Sequence, residues 1–162
     1  MKTSRKRRFQ ANDMKLQTND YQCGPIALVN AYIHKNKKHP PISTRRISHE
    51  CSTTEMGTER WNLANNTLFQ LGKPTYNTKK ILAMKAFILL YSFDTSSAHY
   101  VFVIDLDGDN FKIFNYYDVE KQMYTHTTMS RADFFEKLLC TNPKISDLDF
   151  PLAWTMDKML PL

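Results

Sequence analysis

Cys23 stands where a polar loop, QTNDYQ (17–22), gives way to the apolar run that follows Cys23-Gly24-Pro25. Two explanations suit a thiol at that junction. Free cysteines often pack as small buried hydrophobes. Alternatively, a cysteine in the first turn of a helix has its thiolate favoured by the helix dipole, which lowers its pKa and makes it a nucleophile. The second explanation demands partners. A base must take the thiol proton and pass it to a leaving amine, a further group must orient that base, and donors must meet the developing oxyanion.

The chain offers few bases. Of five histidines, His34 falls on the first helix, His39 in a Lys/Pro loop, His49 after a basic helix and His126 in a polar edge segment. His99 differs, because it stands at the mouth of the apolar strand HYVFVID, directly after a small-residue loop. Rigid backbone holds a histidine there while its ring faces a cleft. Taken alone, such a residue is more simply read as a strand-end histidine bonded to nearby backbone. Asn115 ends the strand that the Asp107-Gly108 turn pairs with the His99 strand. A hairpin sets the start of one strand beside the end of the next, so the two residues are expected to be neighbours. The Asn115 amide oxygen would accept from one ring nitrogen and leave the other facing the thiol. Strand termination is the plain alternative for Asn115, and Asp118 is a competing orienter. Gln17, six residues before Cys23, offers an amide that would donate to the oxyanion together with the Cys23 N–H.

These groups need elements to position them. Ile26, Val29 and Ile33, with Ala27 and Leu28 beside them, predict a helix to about His34, with Pro25 at its first position. Ser43 opens a short helix through about Ser48. Thr58 opens another, carrying Trp61, Leu63, Ala64, Leu68 and Leu71, closed by Gly72 as a C-terminal cap and stopped by Pro74. A short helix over 77–84 follows, with Thr78 as its cap. The second half reads as strands: AFILLYSF, then HYVFVID, then FKIFNYY across a hairpin turn marked by Asp107-Gly108, and QMYTHTT. Ser130 with Asp133 opens a helix through Leu139, and the apolar tail from Asp147 packs as a last strand. Helices first and antiparallel strands afterwards predict an α+β domain.

Gln17, the step to Cys23, the Cys-Gly-Pro helix start, His99-Tyr-Val-Phe-Val, the D-G-D turn and Asn115 together resemble papain-like cysteine peptidases. The similarity is nearest to the bacteriocin-processing (double-glycine leader) peptidases and their free-standing relatives. It spans about residues 15 to 118, including Gly57-Thr58, Leu71-Gly72 and the KAFILL strand. The resemblance implies a papain-like α+β fold, a Cys23–His99 pair, Gln17 in the oxyanion hole and a third residue orienting His99. A peptide or protein substrate follows, cleaved through an acyl-enzyme, with no cofactor and no metal. The same parts also serve a thiol deamidase or acyltransferase, and a catalytically idle relative would serve as a binding module.

Composition narrows the setting. The chain has 162 residues, of which 42% are hydrophobic and 12% aromatic, enough for one globular domain. Lys2, Arg5, Lys6, Arg7 and Arg8 carry most of the formal net charge of +6. Residues 1–12 therefore read as a basic flexible tail, open to an acidic partner, ahead of a single domain over 13–162. The remainder is nearly charge-balanced, which argues against nucleic acid as a partner of the folded part. No apolar run reaches membrane-spanning length and no secretory signal is evident. Cys23, Cys51 and Cys140 form neither an even framework nor a chelating pair, His49 notwithstanding. A soluble, cytoplasmic protein with free thiols is expected.

Overall fold

The computed structural model describes residues 13–162; the basic tail expected over 1–12 lies outside the described residues. Helices α1 (Cys23–Asn36), α2 (Thr44–Glu50), α3 (Arg60–Ala64) and α4 (Thr78–Leu82) precede strands β1 (Ala86–Ser92), β2 (Ala98–Asp105), β3 (Asn110–Asp118) and β4 (Met123–Ser130). Helix α5 (Arg131–Phe134) widens into a π-helical turn over Phe135–Cys140, and β5 (Leu152–Thr155) closes the chain. The strands form one five-stranded antiparallel sheet in the order β4-β3-β2-β1-β5. The α+β expectation and the strand assignments agree with this architecture, the tail strand included. No described helix is long and apolar enough to cross a membrane.

Strand β1 reads as a continuous apolar run because both of its faces are buried. Ile88 and Leu90 join α1 residues such as Leu28 and Tyr32, together with Phe102, Phe114 and Trp154, on one side of the sheet. Phe87 and Leu89 join Val101, Val103, Phe111, Phe134 and Leu138 on the other. Alternation along a strand sends successive side chains to opposite faces, so burial on both sides removes the polar positions. Helix α1 and the α5 segment are thus the two covers of the sheet.

Local chemistry explains most element ends, and some expectations need correcting. The first bond of α1 runs from Ile26 N–H to the Gln22 carbonyl at 3.0 Å. Pro25 is therefore the third helical residue, and its missing N–H costs nothing in a first turn whose donors lack helical partners. Helix α2 is capped as expected, the Ser43 hydroxyl accepting from Arg46 N–H at 3.1 Å. Helix α3 starts one residue after the Glu59 cap and stops at Ala64, far short of Leu71. Asn66 is the reason. Its side chain accepts from the N–H groups of Leu68 and Phe69 at 3.0 and 2.6 Å and donates to the carbonyls of Leu63 and Phe69 at 2.7 and 3.0 Å. Such local bonds replace the helical ladder. Gly72 is not a helix cap. Its N–H donates to the Thr155 carbonyl at 2.8 Å, and a Cβ there would collide with the Thr155 side chain. Asn77, not Thr78, caps α4, accepting from Lys80 N–H at 3.1 Å.

The β2–β3 turn behaves as its Asp-Gly predicts: Asp107 Oδ1 accepts from the N–H groups of Asp109 and Asn110, each at 2.9 Å, and Gly108 takes φ +88. Further along β3 the register against β4 shifts between Ile113 and Tyr116. Asn115 occupies that irregularity at φ +65, a left-handed conformation that asparagine tolerates better than most residues.

Candidate active site

Cys23 is the first residue of α1, with 7% exposure. Gly24 lets this helix start press against the loop before α3, since a Cβ would lie 2.9 Å from Thr58 Oγ1 and 3.1 Å from Leu63. That loop is held in turn, with the Tyr100 hydroxyl donating to the Thr58 carbonyl at 2.9 Å. The glycine after the thiol is therefore a packing requirement of the site.

His99 lies on β2, buried at 3% exposure. Its ring stacks on Tyr124 at 5.6 Å between centroids and meets the edge of Tyr91 at 5.9 Å. Tyr91 is its cross-strand partner on β1. His99 Nε2 lies 2.6 Å from the backbone carbonyl of Asn115. A carbonyl only accepts, so Nε2 carries the proton and Nδ1 keeps the lone pair. Nδ1 makes no hydrogen bond among the described residues.

The expected neighbours His99 and Asn115 do meet, but through the main chain of Asn115. Its side chain serves Gln17 instead: Asn115 Oδ1 accepts from Gln17 N–H at 3.0 Å, and Nδ2 donates to Gln17 Oε1 at 2.6 Å. The left-handed turn at Asn115 is what separates the two directions. Gln17 Nε2 donates to the Asn19 carbonyl at 2.7 Å, so one of its two amide hydrogens is committed to its own loop. Asp118, the competing orienter, turns its carboxylate to the Lys121 N–H at 3.1 Å in the β3–β4 turn.

Two participants escaped the sequence reading. Asn115 N–H donates to His126 Nδ1 at 3.1 Å, and His126 Nε2 reaches the Met14 carbonyl at 3.3 Å. His126 thereby ties β4 to the loop before α1 through the residue that holds His99. Tyr124 is the other, as the stacking platform of the ring. Both lie on β4 among polar residues, and the alternation Tyr124, His126 on one side of that strand was the available signal.

Burial dominates the electrostatics. It pushes the Cys23 thiol above its ordinary value, although backbone hydrogen bonding from Tyr100, Gly24 and Cys23 itself works in the opposite direction. The expectation that the helix start lowers this pKa is thus reversed, because desolvation of a nearly enclosed thiolate outweighs the helix terminus. Burial likewise lowers His99 to about 4, against the opposing effect of the Asn115 carbonyl. Both shifts run toward the uncharged forms of the two groups, a neutral thiol and a neutral imidazole.

Cys23 lies at the junction of two clefts. One, of about 430 Å³, is lined by Cys23, His99, Asp20, Glu55, Phe93 and Tyr124 among others. The other, of about 450 Å³, runs toward Thr58, Arg60, Leu90, Ile145 and Phe150. Asp20, Met56, Ser96 and Ala98 border both.

No protein-family profile matches the chain. No curated protein matches it either. Solved structures do. A double-glycine motif protease from an AMS/PCAT transporter, determined in complex with the leader peptide, superposes with a TM-score of 0.60 at 14% identity, over 92% of this chain and 91% of that one. The peptidase domain of Streptococcus ComA, a bifunctional ABC transporter of a quorum-sensing pathway, gives 0.60 at 17% identity, over 91% and 96%. The chain therefore has the papain-like fold of the double-glycine peptidase domains.

Proposed function

We propose that the chain is a cysteine peptidase that hydrolyses a peptide bond through Cys23 and His99. The observation that carries this reading is the commitment of His99 Nε2 to the Asn115 carbonyl, which leaves Nδ1 as the unbonded base of a ring lining the same cleft as Cys23. Because both groups rest neutral, proton transfer and attack are coupled. Nδ1 takes the thiol proton as sulfur adds to the scissile carbonyl. The imidazolium then returns the proton to the leaving amine, the C–N bond breaks, and water releases the acyl group from Cys23 with His99 again as base. The Cys23 N–H at the helix start and the remaining amide hydrogen of Gln17 are the proposed oxyanion donors. Asn115 orients the ring, through its carbonyl.

The substrate is a peptide or protein segment, and the clefts on either side of Cys23 suit an extended chain. Three free cysteines, Cys23, Cys51 and Cys140, fit a reducing, cytoplasmic setting. Side-chain deamidation and acyl transfer would use the same atoms with a different leaving group or acceptor. The near-complete burial of Cys23 favours one further reading, a catalytically idle binding module. Incubation with a fluorogenic peptide library separates them. Turnover by the intact chain and none by Cys23→Ala supports hydrolysis. An intact chain that binds peptides without cleaving, deamidating or acylating any of them would establish the idle module.

A further inference from the structure

The cleft on the His99 side of Cys23 has a lining unlike the rest of the chain. The formal net charge is +6, yet among the described residues no lysine or arginine lines this cleft, whose charged side chains are Asp20 and Glu55. Asp20 is held in place, since its Oδ1 accepts from the Tyr124 hydroxyl at 3.1 Å. Tyr124 belongs to a continuous aromatic wall: Tyr117 lies 5.1 Å from it and Phe93 lies 5.6 Å from Tyr117, centroid to centroid. All three rings are half-buried and all line the cleft. The wall ends at His99, more than nine-tenths buried, whose Nδ1 has no hydrogen bond among the described residues.

Exposed carboxylates alone attract cations weakly. The faces of aromatic rings carry negative quadrupole and attract ammonium and guanidinium groups at close range. The aliphatic stem of a long basic side chain gains by lying along such rings. Carboxylates beside an aromatic wall therefore recognise a lysine or arginine by two mechanisms at once. The opposite cleft differs. There Leu90, Ile145, Leu148 and Phe150 supply apolar lining, and Arg60 already occupies it, donating to the Asp149 carbonyl at 2.8 Å beneath the Phe150 ring.

We propose that the cleft between Cys23 and the Phe93–Tyr117–Tyr124 wall is a subsite for a lysine or arginine side chain of the peptide substrate, its charge placed by Asp20 and Glu55. Its consequence for cleavage rests on the peptidase reading; the binding itself does not.

The test uses the full chain carrying Cys23→Ala and fluorescein-labelled ten-residue peptides that differ only in a central Lys-Lys or Gln-Gln, followed by fluorescence anisotropy. The lysine peptide is expected to bind at least about tenfold tighter, with Asp20→Asn/Glu55→Gln bringing the two peptides within about twofold. Asp109→Asn/Glu136→Gln, exposed positions that line neither cleft, removes the same charge and should leave the preference intact. Equal binding of both peptides overturns the subsite, as does equal loss of preference in the control variant. Hydrolysis by the chain with native Cys23 is measured separately. If peptides bind with the lysine preference but are never cleaved, the peptidase reading fails and the subsite stands.

Discussion

Asn115 grips His99 with its backbone carbonyl, 2.6 Å from Nε2, while its side chain faces away into a reciprocal pair with Gln17. Holding the His99 ring and anchoring the loop before Cys23 thus fall to one residue, through different atoms. Asn115→Gly keeps both the carbonyl and the left-handed backbone at φ +65. It should cost about 1–3 kcal/mol of stability through the lost buried amide pair, with turnover within roughly tenfold of the parent. Asn115→Val, β-branched at positive φ, should be worse on both counts. Thermal unfolding and kcat measured side by side check this. Crippled turnover with an unchanged Tm in Asn115→Gly would mean that the side chain contributes to turnover itself, on the ring or through its pair with Gln17.

The thiol makes a prediction of its own. Cys23 is raised by burial, so its thiolate is scarce at neutral pH and it should alkylate with iodoacetamide more slowly than the exposed Cys140. Its labelling rate should keep climbing through pH 9. Cys51, fully buried and pushed up to about 12, should stay unlabelled in the native state. Mass spectrometry of peptides from time points at several pH values reads all three. A Cys23 rate that reaches its plateau below pH 7 would show a preformed thiolate and contradict the neutral resting pair.

What the sequence could disclose was local. Asp107-Gly108, Ser43 and Ser130 act within a turn of themselves, and their elements appear where those residues put them. Helix α3 was over-extended because its apolar spacing continues to Leu71, while Asn66 diverts the backbone and Gly72 answers to Thr155, a partner distant in the chain. The meeting of His99 and Asn115 was legible from hairpin geometry, but not which atom of Asn115 would be used. That depends on the register shift between Ile113 and Tyr116, which no residue type announces. The same shift directs Asn115 N–H to His126, so the part of His126 was hidden for the same reason.

Gly72 tests how tightly the chain before α4 is bound to β5. Gly72→Ala drives a methyl into the Thr155 side chain and should destabilise by about 1–3 kcal/mol. Thr155→Ala removes the principal obstacle. A double-mutant cycle should therefore show a favourable coupling of about 0.5–3 kcal/mol, recovered when both changes are combined. Additive losses from urea unfolding would show that the two residues do not press on each other.

Acid stability follows from the buried imidazole of His99. His99 is lowered to about 4 in the folded protein, against roughly 6.5 in an unfolded chain. Between those values the unfolded chain binds a proton that the native state refuses, so stability rises with pH. The contribution of the neutral ring is complete above about pH 6.5 and lost as pH falls toward 4, a change on the order of 3 kcal/mol. His126 and His34 are also lowered by burial and push in the same direction. Urea unfolding from pH 7.5 to 4 should show falling stability across that window, with a shallower slope in His99→Gln, which cannot titrate. The residual slope in that variant belongs to His126 and His34, joined near pH 4 by Glu50, Asp94 and Asp107, whose hydrogen bonds hold their carboxyls below the ordinary range. Peptide turnover should show its acid limb only near pH 4, because Nδ1 stays free of a proton down to that point. An acid limb near 6.5, together with equal slopes for the parent and His99→Gln, would show that the ring takes its proton in the folded protein as easily as in water.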